Sequence, residues 1–172
     1  MAFLAGQKVR AADLNRLGAV VGRAVRTTNF NNSGNGIGGT ALRVLSVRAP
    51  IVAGRTYRVV LQAEVFRNSG SSSDFIAESS LRYTTNDTEP TTSSTVLARA
   101  LVHCYEIAVP ETVNIVAYYP SSTTGFLRVA WTLNRAATDA SGTCTASAGA
   151  TFPTTLTIED AGDTVQTSGT VY

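Results

Sequence analysis

The sequence predicts an all-β protein: an antiparallel β-sandwich of jelly-roll-like type, preceded by a short N-terminal helix over about residues 10–25 and a Gly-rich linker. Three observations carry that prediction. Residues 55–68, RTYRVVLQAEVFRN, alternate with period two, placing Tyr57, Val59, Leu61, Ala63 and Val65 on one face and Arg58, Gln62 and Glu64 on the other. About eight such segments recur with turn chemistry between them, the spacing of a sandwich. Pro110, Pro120 and Pro153 fall at junctions, where a missing N–H costs the ladder nothing.

In chain order, Leu14, Leu17, Val21 and Ala24 recur at intervals of three and four, with Arg10, Asp13, Arg16 and Arg23 elsewhere around the turn. That is a one-sided helical stripe. Gly18 and Gly22 interrupt it, each costing about 1 kcal/mol relative to alanine. Burying the four apolar side chains returns roughly 6–10 kcal/mol, whereas ordering residues 10–25 costs about 16 kcal/mol or more. Such a helix must dock on something. Residues 1–39 therefore read as an anchoring arm, with Arg10, Leu14, Leu17 and Val21 as its contact residues, and residues 40–172 as the β-sandwich domain. NNSGNGIGG (31–39) reads as the link between them. Its GxG pattern lacks the preceding strand and following helix of a phosphate loop.

The strand segments follow as TALRVLSV (40–47), RTYRVVLQAEVFRN (55–68), DFIAESSLRYTT (74–85), TVLARALVHCYEIAV (95–109), TVNIVAYY (112–119), GFLRVAWTLNR (125–135), GTCTASA (142–148) and TTLTIED (154–160). The fourth is apolar on both sides. Val96, Ala98, Ala100, Val102 and Cys104 share one face, and Leu97, Leu101, Tyr105 and Ile107 the other. One face is thus expected to meet another subunit, with Leu97, Leu101 and Tyr105 as interface residues.

With 172 residues, the chain is long enough to bury a real core. No run approaches 18 apolar residues, so no membrane insertion is expected. MAFLAGQKVR lacks the pattern of a secretory signal, which points to synthesis in a cytoplasm. The net charge of +2 hides an asymmetry: residues 1–58 hold nine basic residues against Asp13 alone, a net +8, and the remainder nets −6. This implies an acidic partner, head-to-tail contact between copies, or scattered surface arginines. Nucleic acid is not expected as a partner, because no basic cluster is interleaved with aromatics. Cys104 and Cys144 are expected to be buried free thiols.

No catalytic site, cofactor or metal site is expected. His103, the sole histidine, has no serine in a nucleophile elbow to serve. With Cys104 adjacent to it, and so facing the opposite way, no tetrahedral set closes. Asp87 and Glu89 in NDTEP do not have EF-hand spacing. Glu159, Asp160 and Asp163 form a cluster at a strand end and not a pair across a sugar cleft. Exposed aromatics such as Tyr118, Tyr119 or Phe126 offer a possible host-surface glycan contact.

The opening AGQKVRAADLN (5–15) resembles the N-terminal segment of structural proteins of tailed bacteriophages, particularly those of actinobacterial hosts. AGRTYRVVLQAEV (53–65), LRYTTNDTEPTTSSTVL (81–97) and the terminal LTIEDAGDTV (156–165) add to the likeness. The resemblance implies a virion component, made in the bacterial host cytoplasm and located in the virion. It implies a β-sandwich that assembles as a homo-oligomer, a trimer above all, and joins other virion proteins through its N-terminal segment. The opening motif favours a tail position, with a capsid decoration protein as the alternative. No enzymatic step is implied.

Overall fold

The computed structural model describes residues 18–69, 75–136 and 142–164. Among the described residues there are nine strands and no helix: β1 (Val20–Arg26), β2 (Leu42–Ile51), β3 (Arg55–Ser69), β4 (Phe75–Thr84), β5 (Thr95–Cys104), β6 (Glu111–Pro120), β7 (Gly125–Arg135), β8 (Thr143–Ser147) and β9 (Thr154–Asp163). They form two antiparallel sheets, one ordered β1-β9-β3-β6 with β8 also against β3, the other β2-β7-β4-β5. Along β3, β8 pairs with Glu64–Ser69 and β9 with Arg55–Gln62. The two therefore lie end to end as halves of one last strand. Counted that way, the first strand pairs with the last, β2 with β7, β3 with β6 and β4 with β5. This is a long hairpin rolled into a jelly roll, as the sequence patterning predicts.

The predicted helix is overturned. Residues 10–17, with Arg10, Leu14 and Leu17, lie outside the described residues. Val20–Arg26 is a strand, registered on β9 from Val20↔Glu159 to Arg26↔Thr154. Three β-branched residues, Val20, Val21 and Val25, favour extended backbone, and Gly18 and Gly22 weigh against a helix. The edge of β9 also supplies ladder partners that a lone helix lacks. Val21, whose spacing suggested the stripe, sits where the register shifts between Val20 and Gly22 and packs half-buried against the core.

The glycine-rich stretch is likewise packed and does not act as a bare link. Ile37 is fully buried and bridges Cys144, while Phe30 bridges Ala146. Gly36 takes φ +74°, and a Cβ there would collide with the side chains of Thr143 and Asn68. At Gly22 an added Cβ would lie 2.9 Å from the Arg48 carbonyl oxygen and 3.1 Å from Ala49 Cβ. Glycine thus lets β1 close against β2 across the sandwich.

Alternation on the long strands builds the core between the sheets. β3 contributes Tyr57, Val59, Leu61, Ala63 and Val65, β9 contributes Leu156 and Ile158, and β7 contributes Leu127, Val129, Trp131 and Leu133. Two large aromatic side chains carried inward have their polar ends bonded: Trp131 Nε1 donates to Ser79 Oγ at 2.6 Å and Val52 N–H donates to Tyr57 Oη at 2.7 Å. Cys104 and Cys144 are buried free thiols. Burial pushes Cys144 up to about 12 and Cys104 up to about 11.

Two predictions follow from this packing. Gly22→Ala should destabilise the fold by about 1–3 kcal/mol in thermal or denaturant melts, whereas Gly125→Ala, with nothing within 4 Å of its new Cβ, should not. The thiols, with folded values above the unfolded value of roughly 8.5, should resist a thiol reagent until the chain unfolds. Above that pH the unfolded chain gives up protons that the native chain retains, so stability should fall as the solution is made more alkaline.

Candidate functional site

Each of the three sets of candidate residues, Asp87 with Glu89, the terminal acids and His103, has a partner or a defined place in the structure. Asp87 lies on the loop after β4 and faces two arginines of the neighbouring strands. Arg48 of β2 grips both carboxylate oxygens, at 2.7 and 2.8 Å, and Arg128 of β7 adds a bond at 2.9 Å. These bonds hold the Asp87 carboxyl well below the usual carboxylate range. Glu89 pairs with Arg128 at 2.5 Å and with Arg43 at 3.6 Å. Three guanidiniums around two carboxylates disfavour a bound cation there. Among the described residues no group of three or more His, Cys, Asp or Glu is placed to hold a metal.

The terminal acids are engaged in the same way. Arg55 Nε reaches both oxygens of Asp160 at 2.9 and 2.8 Å, and Asp160 is only 4% exposed. A second nitrogen of Arg55 meets Asp163 at 3.1 Å, and Arg58 meets Glu159 at 2.8 Å. Gly162 N–H donates to Asp160 Oδ1 at 3.0 Å. This corner fastens the start of β3 to the end of β9, beside Gly18, whose N–H donates to the Asp160 carbonyl at 2.8 Å. His103 is exposed on β5 and stacks on Tyr105 with 5.9 Å between centroids.

Of the predicted contact residues, Leu101 and Tyr105 stand open, 59% and 62% exposed. Leu97 sits at the register shift of β5 on β4 and packs half-buried against the core. The exposed apolar run continues past Tyr105 to Ile107 and Val109. Of this stretch the sequence reading included Ile107 on the apolar face but missed Val109. Ala108 adopts φ +63° and donates its N–H to the Arg67 carbonyl at 2.9 Å, which breaks the alternation that would have marked the two neighbours as a pair. This run borders the far end of β3, near Arg67. The Gly18 corner borders the near end, at Tyr57, about 33 Å away along the strand.

The three aromatics that could contact a glycan differ in their surroundings. Tyr119 packs on Tyr83 with 5.2 Å between centroids, and Phe126 lies 3.5 Å under the Arg48 guanidinium. Tyr118 alone remains exposed, on the outer face of the β6 edge. The loops at 86–94 and 121–124 adjoin the Gly18 end, and Ser69 lies at the other.

The two acid sets differ in what they stabilise. Removing Asp160 strands a nearly buried guanidinium, so Asp160→Ala should cost roughly 3 kcal/mol. Asp163→Ala, which removes an exposed partner, should cost about 0–1 kcal/mol. Denaturant melts of the two variants check this contrast.

No protein-family model matches the chain, and the curated proteins contain no match. Among solved structures, the chain is similar to that of infectious bursal disease virus Gt strain, at 9% identity and a TM-score of 0.39, over 83% of this chain and 37% of that one. It is similar to the infectious bursal disease virus VP2 subviral particle at 9% identity and TM-score 0.37, over 82% and 38%. The Gx strain gives 12% identity and TM-score 0.38, over 83% and 37%. The chain thus spans little more than a third of those chains. Its jelly roll is defined by its own strand pairing.

Proposed function

We propose that the protein is a non-enzymatic structural component of a virion, tail-associated, which self-associates through its sandwich and attaches through its N-terminal segment. One observation carries this reading. The exposed apolar run Leu101–Tyr105–Ile107–Val109 lies at one end of the sandwich, and the first described residue, Gly18, lies at the other. A part with two distinct ends suits a repeating assembly, with one end attached and the other meeting a further copy of this chain. The resemblance of AGQKVRAADLN to tailed-phage proteins supports the attachment role for Arg10, Leu14 and Leu17, and the tail position. The arginine-paired acids support a role without hydrolysis.

The second copy is the favoured occupant of the apolar run because β5 is the outer strand of its sheet, and its free edge continues the patch. Burying four half-exposed apolar side chains returns about 4 kcal/mol, against an association cost of roughly 4–15 kcal/mol. Free chains should therefore associate weakly, and copies held side by side on a particle should associate firmly. Closed threefold symmetry lets each copy use the patch once.

Sedimentation velocity over a concentration series should show a monomer–trimer equilibrium for the full chain. Leu101→Asp combined with Ile107→Asp should leave it monomeric with an unchanged melting temperature. A chain starting at Gly18 should fold but fail to enter particles, since the cut spares β1. Normal incorporation of that truncated chain would remove the attachment reading, and a monomer at every concentration would remove the trimer.

A further inference from the structure

We propose that the cleft on the outer face of the β1-β9-β3-β6 sheet binds an uncharged saccharide. It is a separate site from the apolar run and does not depend on it. The cleft measures about 380 Å³, within the roughly 300–1,000 Å³ of small-ligand clefts. Gln62 and Glu64 of β3, Thr112 and Asn114 of β6 and Arg23 of β1 line it, and the segment between β8 and β9 walls it with Phe152.

That wall exists because the last strand of the jelly roll is interrupted. β8 and β9 lie end to end on β3, and residues 148–153 leave the sheet between them. The excursion is tied at its neck, where the Thr154 hydroxyl donates to the Ser147 carbonyl at 3.0 Å and Ala148 N–H donates to Asn29 Oδ1 at 2.9 Å. Its turn is closed by Gly149 N–H on the Phe152 carbonyl at 3.1 Å. Phe152 stands 69% exposed, the most open of the large apolar side chains among the described residues. A solitary exposed phenylalanine is ordinary; one held over a polar cleft is not.

The polar lining selects the ligand class. Asp87, Glu89, Glu159, Asp160 and Asp163 all pair with arginine. Among the described residues, Arg23 and Glu64 form no ion pair and the Asn114 amide has no hydrogen-bond partner. An anion would confront Glu64 and a cation Arg23. An apolar ligand would bury these groups unsatisfied. A sugar ring offers hydroxyls that both donate and accept, to match guanidinium, carboxylate and amide together, and a C–H face to lie on the Phe152 ring. Tyr118, four residues beyond Asn114 on the same face of β6, is about 13 Å farther along and extends the surface for a longer chain.

The test is an array of neutral and anionic glycans probed with the full chain, followed by calorimetric titration of the neutral oligosaccharide bound best. Saturable binding to a neutral glycan is expected. Phe152→Ala should weaken it by about tenfold or more, and Asn114→Ala by a smaller measurable factor, with melting temperatures unchanged. The combined Leu101→Asp, Ile107→Asp chain should bind the free oligosaccharide as the parent does, which separates this site from self-association. No saturable binding to any neutral glycan, binding confined to anionic glycans, or undiminished affinity in Phe152→Ala would each overturn the proposal.

Discussion

The rest of the sandwich depends on β3 being hydrogen-bonded along both edges. One edge is matched to β6 from Thr56↔Pro120 to Val65↔Glu111, the other to β9 and then β8. Held by these ladders, the strand buries Tyr57, Val59, Leu61, Ala63 and Val65 with its backbone groups paired to neighbours on either side. β1 reaches this sheet only through β9, so its place depends on the same ladder. The demand that a fifteen-residue strand be covered along its whole length is met by two shorter strands in tandem. The break between them throws Phe152 out of the sheet. A feature of the surface thus follows from a requirement of the core.

The charge asymmetry has a topological explanation. A rolled hairpin brings the first third of the chain against the last and against the middle loop. Arg55 and Arg58 then meet Asp160, Asp163 and Glu159, and Arg43 and Arg48 meet Glu89 and Asp87. Opposite charges distant in sequence become neighbours, for four of the nine basic residues in 1–58. Their energetic weights differ. The Arg48–Asp87 pair is exposed on both sides and contributes little to stability, whereas Arg55–Asp160 is nearly buried and fixes a corner. Arg23 and Glu64 stand outside this internal pairing, and both face the cleft.

Much of this architecture was legible in the residues. Period two in 55–68 and the prolines at junctions specify strands and their limits, because alternation with a buried face admits one reading. The order of strands was not legible, since pairing is a contest among all edges at once. The misread helix shows how local spacing fails: Leu14, Leu17, Val21 and Ala24 fit a helical stripe, but the valines and glycines within it were the better guide, because β9 lacked a partner. Ile37 was hidden for a related reason, a single apolar residue among glycines carrying no period at all. Leu101 and Tyr105 were legible as a surface because their segment is apolar on both faces. Phe152, in a short turn-like stretch, had no pattern to announce it, and only the interruption of the last strand gives it meaning.

Jelly rolls serve many unrelated functions, so fold alone does not choose among them. What chooses is the distribution of exposed apolar side chains and unpaired polar side chains over the surface. Here apolar side chains without cover gather beyond the far end of β3, and polar groups without partners gather midway along its outer face. The two places differ in chemistry and in position, so occupation of one does not obstruct the other. An assembly formed through the first would repeat the second at fixed intervals around its symmetry axis. A single sugar contact of this size is weak, but several held rigidly on one particle bind a repetitive surface far more tightly than any one of them. Self-association would then serve recognition as well as construction.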